Sequence, residues 1–539
     1  MGSTRRFART TARYTARAVT GALAAGIVLG VGELVSVAIS PTASPFFAVG
    51  ATTVDRAPAW AREFAISTFS TNDKPALFTG MTVLITLLGF AAGLLERRRR
   101  PLGSAMLIGG GALGVYAALN RPAADTSWAV PTIVAVVAGV GALRLMQRPL
   151  WPQTPREPVD TGAAAPGAVH QTQPGAHDPV LPRRRFFAVA ASAAVLATAA
   201  WTGGRKLGEQ VRNVMADRAH FRVPLVRDRA KAIAPGTILD VPGVTPFITP
   251  DGDFYRVDTA LQVPKLATTE WHLRIHGMVD RERTLDWDEL ISRAPIERVI
   301  TLACVSNQVG GDLAGNATWV GYPIGELIDE LGVDPDADML LSTSVDGFTV
   351  GTPVSALTDG RDAMLAVAMN GEPLPLEHGY PVRQVVPGLY GFVSATKWVV
   401  DWEFTRFDRA QAYWTRRGWG EKAPIKTASR IDVPRAFESV APGTVRVAGT
   451  AWAQHRGIAA VEVRVDDDDW RRATLAEEFS VDTWRQWFWD WDVTPADIGT
   501  RTLQVRATDK DGAVQTSERT PPIPGGATGW QRLTVVVRD

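Results

Sequence analysis

Residues 298–327 read RVITLACVSNQVGGDLAGNATWVGYPIGEL and contain Cys304, the only cysteine among 539 residues. A lone cysteine has no partner for an intramolecular disulfide, so structural cross-linking is excluded. The apolar run Val299-Ile300-Thr301-Leu302-Ala303 reads as a buried strand, and residues 305–316, rich in Gly and Asn, read as the loop that follows it. A thiol leaving a strand into a loop stands where a ligand or nucleophile is useful. The competing reading is a buried cysteine acting as a small hydrophobe. Position alone does not separate the two.

The chain is too long for one core, so several domains are expected. Its 57 basic and 56 acidic residues leave a net charge of +1, which excludes a polyanion binder by bulk charge, and no nucleic-acid partner is expected. Apolar runs concentrate in the first third, at 19–39, 76–95, 102–119, 128–146 and 186–202. Each is long enough, or nearly so, for the roughly 20 residues a membrane helix requires. Arg5, Arg6, Arg9, Arg13 and Arg17 precede the first run, Arg97 to Arg100 follow the second, Arg144 and Arg148 close the fourth, and Arg183 to Arg185 precede the fifth. The positive-inside rule then places the N-terminus in the cytoplasm and everything after about residue 203 outside it. This predicts a multi-pass plasma-membrane protein: a four-helix anchor (1–150), a flexible cytoplasmic linker (151–182) and a fifth helix (183–205). The anchor holds no histidine for a paired-histidine haem. Glu33 is the one carboxylate inside an apolar run, and the glycines at 26, 30, 32 and 109–111 predict close helix packing. Arg183-Arg184-Arg185-Phe186-Phe187 resembles a twin-arginine export signal set inside the chain, although arginines before any outgoing helix also satisfy the positive-inside rule.

Beyond about residue 222 the chain turns soluble. Phe254-Tyr255-Arg256-Val257-Asp258-Thr259 and the alternating Trp271-His272-Leu273-Arg274-Ile275-His276-Gly277 lie upstream of Cys304. Downstream come Asn370-Gly371-Glu372-Pro373-Leu374-Pro375, His378-Gly379-Tyr380-Pro381-Val382-Arg383, Val386-Pro387-Gly388 and Lys397-Trp398. In this order the segments resemble the molybdenum-cofactor domain of the sulfite oxidase family, over roughly residues 254–539. The resemblance implies an α+β molybdopterin domain (206–430) in which Cys304 is the protein thiolate on molybdenum and a catalytic residue. It implies that Arg256 lies near pterin and substrate, also as a catalytic residue. It further implies that His378 and Arg383 hold the pyrophosphate end of the pterin, and that Ala395, Thr396 and Lys397 contact the cofactor. Phe254, Tyr255, Asn307 and Asp346 complete the implied binding set. A phosphate-bearing pterin needs cationic donors at fixed angles, and a high-valent metal suits a soft thiolate.

The chain also departs from the animal and plant enzymes. Val305-Ser306-Asn307-Gln308 stands where they read Ala-Gly-Asn-Arg, so an oxyanion-pocket arginine has become Gln308, and Phe348 lies near the position of their phenol. Losing a cation and a hydroxyl weakens the case for sulfite. The implied reaction is two-electron oxygen-atom transfer, with a small oxyanion or sulfur compound as substrate and sulfite by default. The reverse direction would make a reductase of sulfoxides or other oxo-compounds. With no cytochrome b5-like pair of haem histidines, electrons pass to a separate partner.

Residues 431–539 read as all-β: alternating Val445/Val447, Val461/Val463/Val465, Trp487/Trp489/Trp491, Leu503/Val505 and Leu533/Val535/Val537 are separated by turns such as Asp511-Gly512. That pattern predicts an immunoglobulin-like sandwich, and its likeness to the family's dimerisation domain implies a homodimer. Asp466 to Asp469 reads as a solvated hairpin tip, with calcium binding the weaker alternative. Two other classes compete. One is a catalytically inert membrane-tethered scaffold, which the ordered set Cys304, His378, Arg383 and Lys397 argues against. The other is a cysteine hydrolase, which lacks a histidine–acid pair beside the cysteine.

Overall fold

The computed structural model describes residues 2–58, 73–121, 124–148 and 214–539, with isolated positions between 60 and 69 and between 195 and 203. The linker expected at 151–182 and most of the fifth apolar run lie outside the described residues. The chain forms two compact units, Met1–Arg212 and Asn213–Asp539.

Among the described residues of the first unit, four helical stretches are long and apolar enough to cross a membrane: Thr11–Ser36, Lys74–Leu95, Leu102–Leu119 and Thr126–Gln147. The segment between the first two, read from sequence as a connection, also holds the helix Pro45–Arg56, started by a proline at its first position. Close packing falls at some of the expected glycines and at others not singled out. A Cβ on Gly21 would lie 2.0 Å from the Gly89 carbonyl, and one on Gly93 2.0 Å from the Arg17 carbonyl. Gly32 and Gly111 do meet neighbours, at Pro45 and Val136, whereas Gly109 and Gly110 have nothing within 4 Å among the described residues. Composition marks a small-residue face but not which turn of the helix meets its neighbour. Glu33 is buried, and so is Glu96, just past the end of its apolar run. The Glu96 carboxylate accepts from the Ser104 N–H (2.7 Å) and hydroxyl (3.0 Å), with Arg144 at 3.7 Å.

The second unit is built on strands. β1 (His272–Gly277), β2 (Arg283–Asp286), β3 (Ile296–Ala303), β4 (Ala314–Pro323), β5 (Met339–Ser344), β6 (Thr349–Pro353), β7 (Met364–Met369), β8 (Glu372–Pro373), β9 (Arg383–Val385) and β10 (Val399–Thr405) form two sheets. One runs β2-β1-β10-β5-β6, with β1 parallel to β10; the other is antiparallel, β3-β4-β7-β8, with β9 also on β7. The alternation read at 271–277 is β1, whose Leu273 and Ile275 are fully buried. The apolar run before Cys304 is the C-terminal half of β3.

β11 (Ala428–Val433), β12 (Ser439–Val440), β13 (Gly443–Trp452), β14 (Ile458–Val465), β15 (Arg471–Arg472), β16 (Thr474–Leu475), β17 (Arg485–Val493), β18 (Gly499–Asp509) and β19 (Gln531–Val537) follow. They make two further sheets, β11-β13-β17-β16 and β12-β19-β18-β14-β15. Val447, Val461, Val463, Trp487, Leu503, Val505 and Val535 form one apolar core between these sheets. Period-2 spacing puts Trp487, Trp489 and Trp491 on one face of β17 against this core, Trp487 and Trp491 buried and Trp489 half-buried. Asp466 and Asp467 turn the chain between β14 and β15, which pair as a hairpin.

The β3–β4 sheet and the C-terminal strands meet at Thr301. Its N–H donates to the Asp482 carbonyl (2.9 Å), and its carbonyl accepts from the Gln454 amide (3.2 Å). Its hydroxyl accepts from the Trp484 N–H and donates to the Asn316 Oδ1, both at 2.8 Å. Thr301→Val keeps the shape but strands two buried groups, Trp484 N–H and Asn316 Oδ1, and is expected to cost about 2–4 kcal/mol of stability. Urea unfolding followed by far-UV circular dichroism checks this. A midpoint equal to wild type would contradict it.

Candidate active site

β3 delivers Cys304 to a cavity wall, and the turn after it fixes the sulfur. The Cys304 N–H donates to the Leu313 carbonyl (2.9 Å), the Asn307 N–H to the Cys304 carbonyl (3.1 Å), and the Ser306 N–H to Sγ (3.4 Å). Burial pushes the thiol pKa up, while the Ser306 N–H and the Lys397 charge pull it down. A bound metal cation would deprotonate it outright.

Around Cys304 the cavity is lined by Phe254, Tyr255, Asp346, His378, Arg383, Ala395 and Lys397, all expected from sequence. Phe254 and Tyr255 stack at 5.2 Å, and Phe254 meets the His378 ring edge-on at 5.5 Å. Gly315 in β4 makes room for this, since a Cβ there would lie 2.7 Å from the Phe254 ring. His378 Nε2–H donates to the Asp251 carbonyl (3.2 Å). Arg383, buried on β9, donates from Nη1 to the His378 carbonyl (3.1 Å) and lies over the Trp319 ring at 4.9 Å, while its Nε has no hydrogen-bond partner among the described residues. Lys397 Nζ donates to Asp258 Oδ2 (2.9 Å) and to the Glu377 carbonyl (3.0 Å). Asp346 Oδ1 accepts from the Phe348 N–H (3.1 Å), so its carboxylate shapes the turn beside the cavity.

Three expected residues do not line this cavity. Arg256 pairs with Asp258 (2.8 Å), its side chain 37% exposed, and does not itself line the cavity. Asn307 turns its Oδ1 onto the Leu313 N–H (3.0 Å) and organises the loop after the thiol. Thr396 is fully buried; its carbonyl accepts from the Gln384 N–H (2.8 Å), leaving its hydroxyl without a partner. Among lining residues that sequence reading did not single out are Asp258, Phe392, Trp414 and Trp419. Asp258 could have been found, because i and i+2 share a side of an extended segment and Arg256 stands two residues away. The tryptophans fall in an irregular stretch with no periodicity to read.

The cations of the cavity are held against their hydration. Burial lowers the Arg383 pKa to about 10. It lowers Lys397 to about 8, against the pull of Asp258. It lowers His378 to about 4, helped by the Arg383 and Lys397 charges, so this histidine is neutral at pH 7. A desolvated site with a donor-rich guanidinium, an unused Nε and a buried thiol is built for an anionic, metal-bearing ligand. A phosphate-bearing pterin with a thiolate-ligated metal fits these residues: Cys304 would meet the metal, and Arg383, Lys397 and His378 the anionic and polar parts of the pterin.

This geometry suits a redox metalloenzyme domain with a large anionic cofactor. The family model described as the oxidoreductase molybdopterin binding domain matches residues 260–414. The chain is 27% identical to the sulfite oxidase of Gallus gallus over 330 residues, covering 51% of this chain and 69% of that protein. It is 30% identical over 151 residues to the uncharacterized oxidoreductase YuiH of Bacillus subtilis (strain 168), covering 28% of this chain and 73% of that one. It is 32% identical over 180 residues to nitrate reductase (NADH) 1 of Oryza sativa subsp. japonica, covering 28% of this chain and 19% of that one. The chain belongs to the sulfite oxidase family of molybdopterin-dependent oxidoreductases, and its cofactor is the molybdenum-molybdopterin group.

Asp258→Asn removes the charge that holds Lys397 protonated against burial, so the Lys397 pKa is expected to fall further below about 8. Carbon-13 NMR titration of reductively methylated, cofactor-free protein reads this directly. A pKa that stays in place or rises would contradict the pairing.

Proposed function

We propose that the chain is a membrane-anchored molybdenum oxidoreductase that transfers an oxygen atom to or from a small sulfur compound. The observation that carries this reading is one cavity in which Cys304, His378, Arg383 and Lys397 converge from separate segments of the chain. The cofactor supplies the two-electron change and the exchangeable oxygen. Cys304 binds the metal, with the Ser306 N–H orienting its sulfur. Arg383 and Lys397 hold the cofactor's anionic groups, Arg383 through its unused Nε. His378, neutral and tethered to the Asp251 carbonyl, offers Nδ1 as an acceptor. Ala395 and Thr396 set the backbone beside the cofactor, and Asn307 and Asp346 brace the turns after Cys304 and before Phe348. Phe254 and Tyr255 wall off water. Arg256 acts at one remove, by sharing Asp258 with Lys397.

The two relatives with named activities differ in their substrate, one a sulfite oxidase and the other a nitrate reductase. Sulfite is the default here and sulfoxide reduction the alternative. The four apolar helices anchor the chain in the plasma membrane (1–150), a linker follows (151–182), and a fifth helix with its twin-arginine-like start (183–205) carries the catalytic domain (206–430) to the extracytoplasmic face. The immunoglobulin-like sandwich (431–539) pairs two copies as a homodimer, and electrons pass to a separate partner.

Wild-type protein from a host that makes the cofactor is expected to contain molybdenum by elemental analysis. Cys304→Ser is expected to lower turnover by more than about a hundredfold, the upper loss seen when only a supporting group of a metal site is changed. Molybdenum-free wild-type protein would overturn the reading. Trypsin added to right-side-out vesicles is expected to digest the 214–539 region, and protection of that region would reverse the assigned orientation.

A further inference from the structure

The chain enters the second unit through a segment that is pinned at several points and bare between them. Val214 is buried with Phe254, Trp319 and Tyr380. Asp217 accepts from the Thr268 N–H and hydroxyl (both 2.8 Å) and from the Tyr380 hydroxyl (2.7 Å). Arg218 donates to the Pro373 (2.6 Å) and Leu374 (2.8 Å) carbonyls, and Phe221 meets Trp287 edge-on at 5.1 Å. Val226 packs on Val320 and Ala368, and the Asp228 carbonyl accepts from the Glu297 N–H (3.0 Å) in β3. Between these anchors Leu225 stands 88% exposed, the most of any large hydrophobic side chain among the described residues. Arg222, Arg227, Arg229 and Lys231 are exposed with it.

Charge is uneven here. Residues 203–231 hold eight Lys or Arg against three Asp or Glu, in a chain whose 57 basic and 56 acidic residues nearly cancel. Within the strip 222–231 the one acid is Asp228, paired with Arg298 (2.6 Å), which also holds Asp362 (2.7 Å). Even with Asp228, Asp362 and Glu297 all counted against Arg298, the four exposed cations leave the strip positive. Other acids gather at the helix before it, where Arg218 acts on Asp251, and where Glu372 and Asp288 adjoin the residues that Arg218 and Phe221 touch. Arg222 and Arg227 make no hydrogen bond or ion pair among the described residues.

Chain length points to what covers this strip. Only residues 203–213 lie between the apolar run at 186–202 and Val214, and a chain that short spans at most roughly 40 Å. We infer that the strip 222–231 lies on a bilayer surface of anionic lipid, with Leu225 among the acyl chains and the exposed cations at the headgroup phosphates. A lipid surface answers the leucine and the charge together, whereas an acidic protein face answers the charge alone. This rests on the membrane-anchored reading and adds to it a second contact, made by the catalytic unit itself.

The test uses the full-length protein in lipid nanodiscs, with a nitroxide label on Leu225→Cys in a Cys304→Ser background, so that one thiol takes the label. In discs of equal parts phosphatidylcholine and phosphatidylglycerol, the label is expected to collide more with oxygen and less with a water-soluble nickel chelate than the same label on Ile498→Cys, which is 45% exposed on the sandwich. Discs of phosphatidylcholine alone are expected to free it. Arg222→Gln combined with Arg227→Gln is expected to lower the ratio of immersed to free label about fivefold per cation removed. Nickel contact at 225 equal to that at 498 would overturn the inference. So would immersion that ignores lipid charge, or an immobile label shielded from oxygen, which marks a protein partner. Release of the whole chain from membranes by alkaline carbonate would instead overturn the anchoring reading beneath it.

Discussion

Thr301 fixes where the thiol stands. It pairs in register with Asn316 across β3 and β4, and every polar group it carries is hydrogen-bonded. Its partners at 454, 482 and 484 come from the C-terminal strands and their connections, while Asn316 reaches back to the Phe247 carbonyl and the Thr249 hydroxyl. Trp484 Nε1–H ends on the same Phe247 carbonyl. Three chain segments are thus clamped three residues before Cys304. A strand side chain cannot shift by one position without reversing the faces of its neighbours, so this clamp sets both the depth and the direction of the sulfur.

Around that fixed point the site is a compromise between burial and charge. Buried guanidinium and ammonium groups are costly unless an anion answers them. Asp258 answers Lys397, and Arg383 keeps an unused Nε and rests on the face of Trp319. The protein holds these groups in place through β9, β10 and the turns around Gly379 and Trp398, the latter a non-glycine residue at φ +52°. A bulky residue in that left-handed region is strained, and here the strain lies beside Lys397, one of the residues proposed to contact the cofactor. Phe348, Phe392, Trp414 and Trp419, which line the same cavity, contribute no charge.

Much of this was legible in the sequence, for identifiable reasons. β1 and β3 showed in alternation and in an unbroken apolar run, and Cys304 stood out as a single thiol at a strand exit. The ordered motifs led to His378, Arg383 and Lys397. Side-chain direction was not legible: Arg256, Asn307 and Thr396 sit in the right segments but spend their polar groups on Asp258, Leu313 or nothing. Helix phase was not legible either, so Gly109 and Gly110 were expected at contacts that Gly21 and Gly93 make instead. Glu96 escaped notice because it follows the apolar run, yet Ser104 and Arg144 bury it. Trp414 and Trp419 lie in an irregular stretch, where only tertiary contacts reveal which surface a ring faces.

X-ray absorption at the molybdenum K-edge tests the central claim most directly, because it counts the sulfur neighbours of the metal in wild type and in Cys304→Ser. The account predicts that the variant retains molybdenum with one sulfur neighbour fewer, since the Cys304 thiolate is a ligand at the metal. An unchanged sulfur count in a variant that still holds molybdenum would contradict it.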